Sequence, residues 1–246
     1  NYAIAGINSE IVDLKILYVE IESNVYYNTA QIASSDALKT EIVGALSDYS
    51  KNVEINKFGG RFKYSKLNTL IDRVDNGITS NITKVIVRRD LKALLNQFAQ
   101  YELCFGNRFY INPAGYNIKS TGFTINGFSQ IAYITDVPNK TISGTLDGSL
   151  KGTLSVVTKN NQGQQVVLIK DAGIVDYKKG EVILNTINFT STVSDNSIIE
   201  IQAFPESNDV VGLKDLYLNF DVSNSTINTV KDVIASGEDV SGVVFT

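Results

Sequence analysis

Residues 54–86 constrain the fold of this chain more than any other stretch. Gly59-Gly60 is typical of a turn that needs positive φ, and a helical repeat of apolar residues follows it. Asn76-Gly77 ends the repeat, and a β-branched run at 82–87 comes next. The stretch therefore predicts a strand, a turn, a short helix with Ser65 as its N-cap residue, and a second strand. The apolar face of the predicted helix consists of Leu67, Leu70, Ile71 and Val74, and burying it requires elements from earlier in the chain.

The preceding residues predict a strand and a longer helix. Residues 11–27 alternate apolar and polar side chains, but the apolar phase slips by one residue. The slip indicates either a β-bulge or a strand that is covered on both faces. Ser34 or Ser35 can cap a helix that begins at Asp36, in which Gly44 is a weak point. The buried stripe of this helix is predicted to be Leu38, Ile42, Val43 and Leu46.

The order of these elements predicts an α+β fold with two domains. Residues 1–95 are expected to form a split βαβ-like layer, which is a small sheet with two helices on one face. Residues 88–100 predict either a helix capped by Asp90 or an irregular connector. The predicted domain boundary lies in that ambiguous stretch.

Residues 96–246 predict a β-rich, mostly antiparallel domain with an extended C-terminal tail. Short β-type runs are separated by turn signals, such as Asn126-Gly127 and the stretch 160–163. Only residues 229–235 favour a helix in this half. The eight predicted strands are 101–110, 117–124, 131–135, 152–158, 165–170, 181–185, 198–204 and 216–222.

The composition excludes several classes of function. The chain has no His and no Trp, and Cys104 is its one cysteine. Ser-His-Asp and Cys-His catalysis are therefore excluded, as are an intrachain disulfide and a Cys-based zinc site. Carboxylate pairs and lysines remain, so catalysis is disfavoured rather than excluded. No cofactor and no metal are expected.

Targeting and membrane signals are weak. No apolar run approaches the roughly 18–20 residues that a membrane-spanning helix needs. Residues 1–10 lack the basic start and apolar core of a secretory signal peptide. The chain contains no Met, which predicts that it is a fragment or a processed piece of a longer protein.

Charge is distributed unevenly along the chain. Residues 51–92 hold 10 Lys and Arg against 4 Asp and Glu, whereas the whole chain has a net charge of −4. A basic block with Phe58, Phe62 and Tyr64 nearby is compatible with nucleic-acid binding. A solvated helix face, or a surface that meets an acidic surface on a neighbouring subunit, explains the block better because the pI is about 5.0.

One acidic group resembles a catalytic set only superficially. Asp171, Asp176 and Glu181 lie close to Lys170 in the sequence. All four flank two predicted hairpin strands, so surface charge explains them better than acid–base chemistry.

Two further motifs are also weak. Glu206, Asn208 and Asp209 offer oxygen ligands for calcium, but they lack the alternating ligands of an EF-hand loop. Asn81 and Asn139 begin N-glycosylation triplets, which arise often by chance.

Several motifs, in their order along the chain, resemble one family. FGGRFKYSKLNTLIDRVDNGITSNITKVIVRRDL at 58–91 is followed by YELCFGNRF at 101–109 and STGF at 120–123. GIVDYKKGEVIL at 173–184 and AFPESNDVV at 203–211 complete the series. Together they resemble the C-terminal part of the large baseplate wedge protein, a baseplate-J-like protein, of contractile-tailed phages related to the T-even myoviruses. The resemblance extends over residues 11–239, and the family's longer N-terminal part is absent here.

The resemblance implies a non-enzymatic structural component of a phage tail baseplate wedge, located in the virion and assembled in the host cytoplasm. It implies that copies form homodimers within the inner baseplate ring, bind other wedge proteins and rearrange when the tail sheath contracts. Nucleic acid, a membrane span and a small-molecule substrate are not expected. The predicted interface residues are the cations Lys57, Arg61 and Lys63 and the apolar tip Val243, Val244 and Phe245.

Two other functions remain open from the sequence. A β-rich adhesin or carbohydrate-binding module on a virion or cell surface would use the tyrosines and asparagines of the C-terminal half. That hypothesis lacks the Trp that sugar sites often use, and it leaves the N-terminal layer unexplained. A carboxylate-based hydrolase would depend on Asp171 and Asp176.

Overall fold

The computed structural model describes residues 15–51 and 54–236 of the 246-residue chain. Its two α-helices are α1 (Ser35–Ser50) and α2 (Tyr64–Asp72). The strands of the N-terminal half are β1 (Ile16–Tyr27), β2 (Arg61–Phe62), β3 (Ile78–Lys92) and β4 (Phe98–Cys104). The remaining strands are β5 (Lys119–Ser120), β6 (Phe123–Ile125), β7 (Phe128–Pro138), β8 (Lys151–Lys159), β9 (Gln165–Asp176), β10 (Glu181–Thr192), β11 (Ile198–Ala203), β12 (Val210–Val211), β13 (Tyr217–Phe220) and β14 (Thr226–Lys231).

The predicted α+β class is wrong, because the protein is mostly β. Strands account for 49% of the residues that the structure describes and helices for 12%. The predicted βαβ-like layer fails for a topological reason. β1 and β3 are direct antiparallel neighbours, and the parallel partners of β1 are β13 and β14 from the far end of the chain. The two helices therefore cover part of a twelve-stranded sheet instead of forming a separate α/β layer.

Strand β1 is covered on both faces, which is one of the two alternatives that its slipped pattern predicted. Leu17, Val19 and Ile21 are buried on one face, and Glu20 is buried on the other. The pairing of β1 with β3 also shifts register between Tyr26 and Tyr27. A strand with both faces covered cannot keep a simple alternation of apolar and polar residues.

Helix α1 follows its sequence signals closely. The Ser34 side chain accepts a hydrogen bond from the Ala37 backbone N–H at 3.2 Å, which confirms one of the two predicted caps. Leu38, Ile42 and Leu46 are buried, as predicted.

The cap of α2 differs from the prediction. The helix begins at Tyr64, ahead of Ser65, and its N-cap residue Lys63 makes no side-chain capping bond. The Asp209 carboxylate instead accepts the Tyr64 N–H at 2.8 Å, from 145 residues further along the chain. This long-range contact is invisible to a local capping pattern.

Strands occupy part of both stretches for which the sequence offered a helix, and the first of them, 88–100, was equally open to an irregular connector. β3 continues through Asp90 to Lys92, so no helix begins at Asp90. The stretch predicted as a helix at 229–235 overlaps β14, which pairs in parallel with β1 from Glu22 to Tyr27. Pairing with the sheet overrides the local preference in both places. β3 also pairs with β11 across the predicted domain boundary, and that boundary stays a prediction.

The β-rich half contains a closed ring of five strands. β6, β7, β8, β9 and β10 pair in the order β7-β6-β10-β9-β8, and the additional pairing of β7 with β8 closes the ring. All its pairings are antiparallel, and each of the eight predicted strands of this half overlaps an observed strand. Phe123 and Phe189 pack edge to face with their ring centroids 4.9 Å apart.

One strand of this ring, β7, carries a buried acid. The Asp136 side chain is fully buried and accepts hydrogen bonds from the Tyr177 hydroxyl at 2.6 Å and the Ile118 N–H at 2.7 Å. Burial raises the pKa of Asp136 above its ordinary value, and these hydrogen bonds offset only part of that effect. Burial and the nearby Asp136 carboxylate raise the pKa of Tyr177. Its hydroxyl therefore stays protonated and donates a hydrogen bond to Asp136.

Replacing Gly44 with Ala is expected to raise the free energy of unfolding by up to about 1 kcal/mol, because the helix propensity of Ala is higher. Gly44 lies within α1, and a Cβ atom there would have no neighbour within 4 Å. Urea unfolding measures the change. Gly60→Ala is the opposite control. It should lower the free energy of unfolding, because the new Cβ would lie 2.0 Å from the Ile55 carbonyl oxygen. A Gly44→Ala variant less stable than the wild type would contradict this account of α1.

Asp136 is expected to make the protein more stable as the pH falls from 7 towards 4. Its folded-state pKa is raised, so the folded state binds this proton more tightly than the unfolded state does. The resulting stabilisation is complete below the unfolded-state pKa of about 4 and is lost as the pH rises through the folded-state pKa.

Urea unfolding of the wild type and Asp136→Asn at several pH values tests this. The difference in unfolding free energy, wild type minus variant, should grow on acidification by at most about 1.4 kcal/mol per pH unit. A difference that does not change between pH 7 and 4 would mean that Asp136 titrates normally.

Candidate assembly surface

The three predicted interface cations lie together at one exposed edge. β2 and β12 form a separate two-stranded antiparallel sheet in which Arg61 pairs with Val211. Lys57 precedes this sheet, Lys63 follows β2, and all three cations are exposed. Among the described residues, none of the three forms an ion pair, whereas the neighbouring Lys66 lies 3.9 Å from Glu54. Their charges therefore face solvent.

The two glycines of the opening motif hold this edge in place. Gly59 has φ +63°, as its turn required, and its N–H donates to the Leu213 carbonyl at 3.0 Å. Gly60 passes so close to the Ile55 carbonyl that a Cβ would not fit. Its own carbonyl accepts the Gly212 N–H at 2.8 Å. The glycines thus allow two loops to run side by side.

Exposed apolar side chains lie beside the cations, and the sequence did not predict them as a surface. Phe58 is 52% exposed and Val211 is 46% exposed, and Leu213 is also exposed. No local sequence pattern marks them, because Val210 and Val211 are both apolar and only the structure shows that Val210 is buried and Val211 is not. We call this surface the β2–β12 patch, and its residues are Lys57, Phe58, Arg61, Lys63, Val211 and Leu213.

The aromatic side chains near the basic block do not form a stacking platform. Phe62 is buried, and the Tyr64 hydroxyl donates to the Thr83 carbonyl at 2.9 Å. Phe58 remains exposed and packs edge to face on Tyr217, with ring centroids 5.5 Å apart.

A buried arginine joins the strands next to the patch. Arg88 of β3 is 4% exposed, and its guanidinium lies 4.0 Å from the centroid of the Tyr18 ring. Four carboxylates from β1, β3, β11 and the residue after β13 accept its hydrogen bonds. These partners are Glu20 on Nε, Asp90 and Glu200 on Nη1, and Asp221 on Nη2.

The charges in this cluster shift the protonation of its members. Burial raises the pKa of Glu20, and the hydrogen bond from Arg88 offsets part of that rise. Burial opposes the charge of Arg88, but Glu20 and the other carboxylates outweigh it, so the pKa of Arg88 is raised. Burial likewise opposes ionisation of Asp221. Hydrogen bonds from Ser223 and Asn224, together with Arg88, outweigh that effect and lower the pKa of Asp221.

The structure does not assemble the acid–base set that the sequence suggested. Asp176 accepts the Lys179 N–H at 3.0 Å within the turn between β9 and β10. Glu181 lies 3.7 Å from the Lys179 ammonium in an ion pair. Asp171 has φ +62° and lies five positions earlier in β9, beside a surface pocket that includes neither of the other two acids.

The suggested calcium ligands have other contacts. Asp209 caps α2, and Glu206 pairs with Arg108 at 3.1 Å. Within the described part of the chain, no group of three or more His, Cys, Asp or Glu side chains is arranged to hold a metal ion. The Asn81 side chain donates to Asp72 at 2.7 Å. The predicted apolar tip, Val243, Val244 and Phe245, lies outside the described residues.

One family resembles part of this chain. Residues 15–90 match the family described as "Baseplate structural protein gp6, C-terminal domain III". The match runs from the residue before β1 to Asp90 of β3, so it includes Lys57, Arg61 and Lys63 as well as Arg88. No curated protein matches this chain.

The match supports a structural role in the tail baseplate of a phage virion, and it indicates a non-enzymatic protein. A structural role of this kind implies contacts with other baseplate proteins. Neither of the two described helices is long and apolar enough to cross a membrane.

Arg88→Met is expected to lower the free energy of unfolding by about 3–5 kcal/mol, because it leaves the buried Glu20 carboxylate without its cation. Adding Glu20→Gln to this variant should recover part of the loss, since the remaining buried group is then neutral. Urea unfolding of both single variants and the double variant gives the coupling between the two residues. Additive effects would show that the pair is not coupled.

Proposed function

We propose that this chain is a structural component of a phage tail baseplate wedge that self-associates within the inner baseplate ring. The match of residues 15–90 to a baseplate structural family carries the proposal. In this proposal the chain also binds other wedge proteins and rearranges when the tail sheath contracts. Those two elements rest on the family resemblance of the whole chain.

The β2–β12 patch supports self-association. It combines three cations that have no ion-pair partner among the described residues with exposed Phe58, Val211 and Leu213. Apolar and aromatic side chains beside arginine are typical of the centres of protein interfaces. The chain as a whole has a net charge of −4, so another copy offers acidic surface to this basic patch.

The adhesin hypothesis gains no specific support from the structure. It leaves the match of residues 15–90 unexplained. A glycan array that gave a reproducible micromolar ligand would favour it instead.

Reversing the charge of the patch is expected to weaken self-association. Wild-type protein at tens of micromolar should sediment as a dimer or a larger species. The triple variant Lys57→Glu, Arg61→Glu and Lys63→Glu should raise the dissociation constant of self-association at least about tenfold. The patch is then acidic and repels the acidic surface of the other copy. Sedimentation velocity measures the change.

A second triple variant controls for net charge. Lys140→Glu, Lys159→Glu and Lys178→Glu change the same number of exposed lysine or arginine residues in the β-rich half. This variant should sediment like the wild type. A wild-type protein that is strictly monomeric at tens of micromolar would count against self-association, and equal effects of the two variants would count against the patch.

A further inference from the structure

Arg89 differs from its neighbour Arg88 in its electrostatic surroundings. Successive residues of a strand point to opposite faces, so the two guanidinium groups lie on opposite sides of β3. Arg89 is 8% exposed, and its Nη1 donates to the Cys104 carbonyl at 2.5 Å. Its Nε is buried without a hydrogen-bond partner, and no described carboxylate forms an ion pair with it.

This arrangement is costly for an isolated chain. A buried charge without an ion-pair partner loses hydration, and the attraction of the more distant Asp215 and Asp90 charges offsets only part of that loss. Burial lowers the pKa of Arg89, although an arginine stays protonated under such a shift. The side chain therefore keeps a positive charge and an unused N–H donor beneath the surface.

A pocket leads to this guanidinium. It has a volume of about 310 Å³ and is lined by Lys15, Arg89, Glu102, Cys104, Leu213, Asp215 and Leu216. Leu213 is also part of the β2–β12 patch, so the pocket adjoins that patch. The Asp215 charge attracts Arg89, yet Asp215 and Glu102 are exposed and remain outside ion-pair distance of it.

We propose that this pocket, the Arg89 pocket, binds the carboxylate of an Asp or Glu side chain from an adjoining baseplate subunit. A guanidinium presents a planar fork of N–H donors that matches a carboxylate. Glu102 and Asp215 outnumber Lys15 around the pocket, and this acidic balance disfavours a phosphate dianion more than a singly charged carboxylate. That the carboxylate comes from a protein side chain rests on the proposed function. The subunit that supplies it would also cover the neighbouring β2–β12 patch.

Acetate is a direct probe of the pocket in the full chain. The ¹⁵N–¹H resonance of the Arg89 Nε should shift saturably when sodium acetate replaces sodium chloride at constant ionic strength and pH 7. Arg89→Lys identifies the resonance by its loss, and the Nε of exposed Arg61 is the control. A shift no larger than that of Arg61, or a larger response to phosphate than to acetate, overturns the proposal.

The competing explanation is that an acidic side chain of the same chain already occupies the Arg89 pocket. Glu102→Gln and Asp215→Asn should each shift the acetate-free Arg89 Nε resonance by less than saturating acetate does. A larger shift in either of them shows that an internal carboxylate already occupies the pocket, which also overturns the proposal.

A pair of adjacent variants separates binding from folding. Arg89→Met should leave the melting temperature within about 3 °C of the wild type or raise it, because it removes a buried unpaired charge. Arg88→Met should lower the melting temperature by far more. Arg89→Met should also weaken self-association or binding to the other wedge proteins at least tenfold, and Arg89→Lys should give a smaller loss because it keeps the charge without the fork.

Each outcome has a distinct meaning. A melting temperature lowered as much as in Arg88→Met makes Arg89 a structural residue and overturns the proposal. Acetate binding with no effect of Arg89→Met on assembly overturns the adjoining subunit as the source and leaves the proposed function intact. Acetate binding by a protein that neither self-associates nor binds wedge proteins counts against the proposed function, and it overturns the subunit as the source as well.

Discussion

The sheet around β3 depends on one buried cation. Arg88 holds carboxylates from β1, β3, β11 and the residue after β13, so four stretches of chain converge on one planar group. Buried ion pairs stabilise a fold only while each charged group keeps its partners. Removing one member leaves another buried charge without a counter-ion. The cluster therefore fixes the position of the C-terminal strands relative to the N-terminal ones, in addition to the backbone hydrogen bonds between them.

The family-matched segment completes its structure with residues from outside the match. β1 takes its parallel partners from β13 and β14, and β3 takes an antiparallel partner from β11. Asp209 supplies the cap of α2, and the Asn56 side chain accepts the Phe220 N–H at 3.1 Å. The resemblance of residues 15–90 thus describes part of a folded unit whose remaining strands come from later in the chain.

Local signals predicted local structure well, and long-range pairing explains the failures. The Ser34 cap, the buried stripe of α1 and the strands of the β-rich half all follow from spacing within a few residues. The cap of α2, the strand at 226–231 and the fold class depend on contacts between residues more than a hundred positions apart. The cations of the candidate surface were visible as a charge block. The apolar residues beside them were not, because Val211 and Leu213 reach that edge only through the pairing of β12 with β2.

The parallel pairing of β1 has a mechanical consequence. The Lys15 carbonyl accepts the Tyr217 N–H at one end of β1, and the Ser236 hydroxyl accepts the Thr29 N–H beyond the other. Lys15 and Ser236 thus lie at opposite ends of β1, which is roughly 40 Å long at the usual rise per residue. A pull between these two points acts along the strands. The hydrogen bonds of β1 with β13 and β14 are then loaded in shear, so they must break together before the strands can slide. Tension in an assembly would therefore pass through this protein along a strand that pairs with three others, and the strands would not peel apart one bond at a time.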